Sequence, residues 1–278
     1  MVNFPQNHQF FFHLGLAKAA STFLQRQFFP TLSGIHFVKK KYFGKHRNTD
    51  FVSQHPNILF SFEFHKFLPA KLIEISKLYP EAKVILVFRE HSSWLESKYR
   101  YHVRKHGKES FTAFFDLEDN RGVIRQEEVM YQQIIETVYT HFRQKPLFLN
   151  YHDLRKNPDR FFQPLCQYLG VELPTLPQRQ TVNRAFNDKQ IRYLLALNRV
   201  YPYAPLKSSV KMFNKIHYKF REFLLHSWAF LARFLPAKSP ELPIIPTGIQ
   251  DQIREFYKDD WAYCLSQVSR TTQNGQSP

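Results

Sequence analysis

The stretch Phe10-Phe-Phe-His-Leu-Gly-Leu-Ala-Lys-Ala-Ala-Ser-Thr-Phe-Leu-Gln25 changes its pattern halfway along. Phe10 to Leu16 is an apolar run short enough for a buried parallel strand. From Ser21 onward Phe23, Leu24 and Phe28 recur at helical spacing. Ala17-Lys18-Ala19-Ala20 joins the halves with small residues around one lysine, and Ser21-Thr22 stand at the helix entrance. Small side chains let a backbone approach a ligand closely, and helix-start amides, two hydroxyls and an ammonium together suit an anion. The stretch reads as a phosphate-binding strand, loop and helix. It is not a Walker A loop: counted from Gly15, Ala20 and Ser21 stand where that motif requires Gly and Lys.

The chain around it repeats the alternation. Asn57 to Phe62 is a second strand, running into Glu63-Phe-His65, and Pro69 opens a helix to Tyr79. Lys83-Val-Ile-Leu-Val-Phe88 has the continuous apolar character of a strand buried on both faces, and it ends on Arg89. Helices are predicted over 92–106, 126–142 and 158–169, the last stopped by Gly170, with a fourth strand and its exit turn over 146–154. This order argues for an α/β fold, a parallel sheet flanked by helices. Ligands of such sheets gather beyond the carboxyl ends of the strands, where Lys18, Glu63 and Arg89 fall.

From Lys189 the pattern is helical, with helices predicted over 190–199, 208–235 and 248–268 and a proline-rich connector over 236–246. A single domain over 1–278 is expected, residues from about 205 to 278 forming its helical C-terminal extension. Lys207, Lys211, Lys215 and Lys219 stand at i, i+4 spacing as one basic stripe, with Phe213, Ile216, Phe220, Phe223 and Leu224 on an apolar side. Such a helix either packs its apolar side in the core or makes peripheral contact with an acidic membrane. A second basic run, Lys39 to Arg47, reads as a loop that is either solvated or guides an anionic acceptor.

Lysine and arginine exceed the acidic residues to a formal net charge of +16, which points to anionic partners. Phenylalanine is abundant, 29 residues against 8 glycines, so aromatic rings fill much of the core. Cys166 and Cys264 lack metal-ligand spacing and are expected as buried thiols. The N-terminal residues lack signal-peptide order, and no run reaches the ~18 apolar residues of a membrane span. The expected location is cytoplasmic, with peripheral attachment to the inner membrane surface if helix 208–235 meets lipid.

Arg89 at a strand end, followed by Ser97 in the next helix, offers a bidentate, always-charged clamp with a neutral donor nearby. Together these motifs resemble the sulfotransferase family. Lys18-x-x-Ser21-Thr22 is similar to its 5′-phosphosulfate loop, Pro-Lys-x-Gly-Thr-Thr, with Ala17 and Ala20 in place of Pro and Gly. Arg89 and Ser97 match its 3′-phosphate site. Asn150-Tyr-His-Asp-Leu with Leu169-Gly-Val171 resembles a scaffold segment, and Thr181-Val-Asn-Arg-Ala185 its later donor-binding loop.

The resemblance implies transfer of a sulfuryl group from 3′-phosphoadenosine 5′-phosphosulfate to a hydroxyl or amine. The acceptor is expected to be a carbohydrate or glycolipid; neither a metal nor nucleic acid is expected. Lys18, Ala19, Ala20, Ser21, Thr22 and Phe23 are then the 5′-phosphate contacts, Lys18 also meeting the leaving oxygen, and Arg89, Ser97, Asn183 and Arg184 hold the rest of the nucleotide. Glu63 is the preferred base. His65, whose ordinary pKa suits base work, lies on the same side of an extended strand and stays open as the alternative. Two rivals remain: a nucleoside- or sugar-phosphate kinase with an atypical loop, and a non-catalytic basic module for acidic glycan or nucleic acid.

Overall fold

The computed structural model describes residues 8–39, 55–64, 67–175, 186–202, 211–234 and 243–273. Its frame is a sheet of β1 (Gln9–Leu16), β2 (His36–Lys39), β3 (Asn57–Phe64), β4 (Lys83–Phe88) and β5 (Leu147–Asn150). The order is β2-β3-β1-β4-β5 and every pairing is parallel. The α/β expectation is met by the sheet itself. From β1 the chain builds β2 and β3 to one side and then crosses to β4 on the other. The carboxyl end of β1 therefore lies at the topological switch point, where such sheets hold ligands.

Strand alternation sorts the aromatic residues onto two faces. Phe10 and Phe12 meet Phe60 and Tyr79 on one face, with Phe12–Phe60 and Phe10–Tyr79 ring centroids 5.0 and 5.1 Å apart. On the other, Phe11, Leu59, Ile85 and Val87 join a buried cluster with Leu24, Phe28, Phe29 and Phe161. A strand covered on both faces has no polar alternation, hence the continuous apolar runs in the sequence.

Several boundaries depart from expectation. β2, at the sheet edge, is absent from the sequence reading because four residues make no recognisable run. Behind the loop, Ser21–Phe23 is α-helical, Leu24–Phe28 is a π turn and Phe29–Thr31 a 3₁₀ turn. The helix expected from 126 begins as a 3₁₀ turn, Gln126–Val129, breaks at Met130 and resumes as Tyr131–His141. The exit turn after β5 is a helix, Tyr151–Lys156, and the terminal helix divides into Thr247–Phe256 and Lys258–Gln273. Helices Leu68–Leu78, His91–Arg104, Pro158–Leu169 and Asp188–Val200 stand close to where periodicity puts them.

The chain divides into two compact units. The first, 1–91 with 127–182 and 257–278, holds the sheet. The second, 92–126 with 183–256, is helical among its described residues. In it Arg100 pairs with Glu96 at 2.7 Å and with Asp188, and Asn198 Nδ2 donates to Val103 O and Gly107 O at 2.8 and 2.9 Å. No helix among the described residues is long and apolar enough to cross a membrane.

Candidate functional site

β1 delivers the loop. Ala17 N donates to Phe64 O at 3.3 Å, tying the loop start to the end of β3. Lys18 and Ala20 then take left-handed backbone angles, φ +80° and +67°. A side-chain-bearing residue gives up about 1–2 kcal/mol in this conformation. Left-handed turns of this kind align successive amides into an anion-binding concavity. Leu24 N closes the first helical bond onto Ala20 O at 3.1 Å. Ala19 and Ser21 are buried, while Lys18, Ala20, Thr22 and Phe23 are half-buried.

Arg89 follows β4 on the side of the sheet that carries Ile85 and Val87, and it is half-buried. Its Nη1 donates to Lys18 O at 3.2 Å, and its guanidinium lies 4.6 Å from the Tyr151 ring centroid. The structure thus joins the two cationic motifs, which are far apart in sequence, at one corner of the sheet. Tyr151 is a support that sequence reading missed, since nothing in Asn150-Tyr-His-Asp marks a stacking partner for Arg89.

The backbone under Arg89 is also held. Tyr131 donates its hydroxyl to Arg89 O at 2.6 Å. Tyr131 N and Gln132 N donate to the Asp260 carboxylate at 2.9 and 2.8 Å, so Asp260 caps the helix that carries Tyr131. His91 Nε2 faces only acceptors, Asp260 Oδ2 at 2.9 Å and Val129 O at 3.0 Å, and therefore carries the proton. The His91 ring stacks between Tyr131 and Tyr257, 4.2 Å from each centroid. No local pattern could reveal this cap, because its donors and acceptor lie in distant helices.

Beneath the loop, Gln25 Nε2 donates to Ser61 Oγ at 2.9 Å, leaving the Ser61 hydroxyl to donate to His13 Nδ1 at 2.7 Å. Burial pushes the His13 imidazole down to about 4, so it is neutral near pH 7. Two residues further along each strand, Glu63 pairs with Gly15 near the strand ends and is half-buried. A Cβ placed on Gly15 meets no atom within 4 Å, so there is open room beside Glu63's strand neighbour.

Ser97 is half-buried in the helix His91–Arg104 and belongs to the second unit. His65, Asn183 and Arg184 lie outside the described residues, as does the basic run from Lys40. Cys166 and Cys264 are free and buried, and burial raises both thiols, Cys166 to about 11. Among the described residues no group of histidine, cysteine or carboxylate side chains forms a metal site. His102, one of two histidines on its helix, instead bonds Glu109 at 2.6 Å.

Part of the chain is similar to the family that the motifs resemble. A sequence model described as the sulfotransferase family matches residues 40–175, just under half of the chain, a span that includes Glu63, Arg89 and Ser97 and begins after the Lys18 loop. Among solved structures, a sulfotransferase from Alicyclobacillus acidocaldarius aligns at 16% identity and TM-score 0.48, covering 68% of this chain and 91% of its own. The mouse sulfotransferase SULT7A1, complexed with PAP, aligns at 14% identity and TM-score 0.43, covering 74% and 70%. No curated protein matches.

Proposed function

We propose that this chain, sulfotransferase-family in sequence over residues 40–175, moves a sulfuryl group from 3′-phosphoadenosine 5′-phosphosulfate to a carbohydrate or glycolipid. The observation that carries the reading is the Arg89–Lys18 corner. A strained loop with one ammonium and two hydroxyls is fastened to a guanidinium at the switch point of a parallel sheet. Two cations at that corner suit a donor with a charged 5′ end and a separate 3′-phosphate. When bound, the donor supplies the sulfuryl group and a phosphate leaving group.

The protein's part is to position groups and neutralise charge. Lys18 holds charge at the leaving oxygen; loop residues Ala19 and Ala20, with Ser21, Thr22 and Phe23, receive the 5′-phosphate. Arg89 clamps the 3′-phosphate. The acceptor oxygen forms its bond to sulfur as the bond from sulfur to the phosphate oxygen breaks, and the acceptor proton passes to Glu63. Glu63 suits this role because it stands one residue before the end of β3, beside the open room at Gly15.

Labelled sulfuryl transfer to a panel of carbohydrate, glycolipid and phenolic acceptors tests this. Transfer to a carbohydrate-bearing acceptor is expected, with Glu63→Gln slowing turnover roughly 10²–10⁴-fold while donor affinity holds. Transfer confined to phenols overturns the acceptor class. Full turnover by Glu63→Gln, with loss in His65→Ala, moves the base to His65.

A further inference from the structure

Helix Lys211–Leu231 turns its apolar residues outward. At 3.6 residues per turn Met212, Ile216, Phe220, Phe223 and Phe230 share one side. They are each more than half exposed, from 53% at Phe230 to 65% at Phe223, and Phe234 just beyond the helix is 75% exposed. The opposite side is buried and partly polar. Arg221 there is 2% exposed, donating to Asn198 Oδ1 at 3.0 Å and Tyr201 O at 2.8 Å, with Leu225, Ala229 and Ala232 along the same side. Gln190 Nε2 to Ala229 O at 2.9 Å and Trp228 Nε1 to Tyr193 O at 3.1 Å fix the helix in this rotation. A surface helix ordinarily does the reverse, facing its apolar stripe inward.

Charge borders the stripe. Lys215 and Lys219 are exposed along one edge, one turn apart. Glu222, the one acidic residue of Lys211–Leu231, is half-buried and paired with Lys105 at 3.1 Å. The outward side is therefore apolar and positive, along a helix about 32 Å long at 1.5 Å per residue.

We propose that this side is a membrane-docking surface that lays the helix flat on an anionic phospholipid bilayer. The phenylalanines enter the acyl boundary, and Lys215 and Lys219 meet headgroup phosphates. An exposed apolar stripe with a basic edge is the form that rests in the interfacial plane. Charge chooses the occupant. A second copy would bring another +16 and another pair of lysines against the first, whereas an anionic lipid surface attracts both. The inference stands apart from the donor and acceptor assignments.

Sedimentation of the full-length chain with vesicles tests it, comparing equal parts phosphatidylglycerol and phosphatidylcholine with phosphatidylcholine alone. Binding to the anionic vesicles is expected. The double variant Phe220→Asp/Phe223→Asp should lose it, and each of Lys215→Gln and Lys219→Gln should weaken it about fivefold. These positions are exposed, so unchanged circular dichroism, melting and nucleotide binding separate a lost surface from a lost fold or donor site. Three outcomes overturn the proposal: no binding to anionic vesicles, equal binding by the double aspartate variant, or lipid-free dimers that this variant dissolves.

Discussion

Phenylalanine serves opposite ends in the two units. In the sheet unit Phe11, Phe12, Phe28 and Phe29 are sealed from water, while Phe220 and Phe223 of the helical unit are mostly exposed. Both groups recur at regular spacing in the sequence. They differ in what the other side of each element provides. β1 is apolar on both faces, so helices must cover both. Helix Lys211–Leu231 has a side bearing Arg221, whose Nη2 donates to Asn198 Oδ1 and Tyr201 O while Nε and Nη1 are buried without a hydrogen-bond partner among the described residues, and that side is the one taken inward. Spacing reveals that a face exists; fixed hydrogen-bond partners decide which way it points.

The sharpest way to break this contrast is truncation. Phe12→Ala should cost about 3–5 kcal/mol, as for a large ring removed from a closed core. Phe223→Ala should stay within about 0.5 kcal/mol, as at an ordinary surface position. Urea denaturation of both variants reads the difference. Similar losses would mean that the outward face is covered in solution.

A second contrast concerns protonation inside the sheet unit. His13 is held near 4 by burial, below its ordinary value of 6.5, so between those values the unfolded chain binds more proton than the folded one. Stability is complete above about pH 6.5 and declines as the pH falls, with a loss on the order of 3 kcal/mol by pH 4. Urea midpoints across this range should slope less in His13→Gln than in the parent chain. Equal slopes would show that His13 takes up its proton while folded.

The smallest effect belongs to the loop. Ala20 keeps a left-handed backbone, so Ala20→Gly should relieve strain and stabilise the chain by about 1 kcal/mol. A lower melting midpoint would count against the left-handed turn.

The parts of the molecule that could be read in advance were those with local causes. β1, β3 and β4 show as apolar runs because both faces of a central parallel strand are buried, and Lys18 and Arg89 stand at strand ends where any ligand of such a sheet is met. Features made by distant partners left no local trace. The break at Met130 is capped by Asp260, the Arg89 guanidinium rests on Tyr151, and β2 is an edge strand defined by its pairing to β3. The outward rotation of helix Lys211–Leu231 belongs with these. Its amphipathic pattern is plain in sequence, and its direction depends on Asn198 and Tyr201.

The central claim is that the Lys18 loop and Arg89 form one site for the sulfuryl donor. Calorimetric titration with 3′-phosphoadenosine 5′-phosphate, against ATP with magnesium, tests it on the parent chain and Arg89→Ala. The account predicts micromolar, magnesium-independent binding of the bisphosphate that Arg89→Ala abolishes. Preference for ATP–magnesium, or bisphosphate binding indifferent to Arg89, would contradict it.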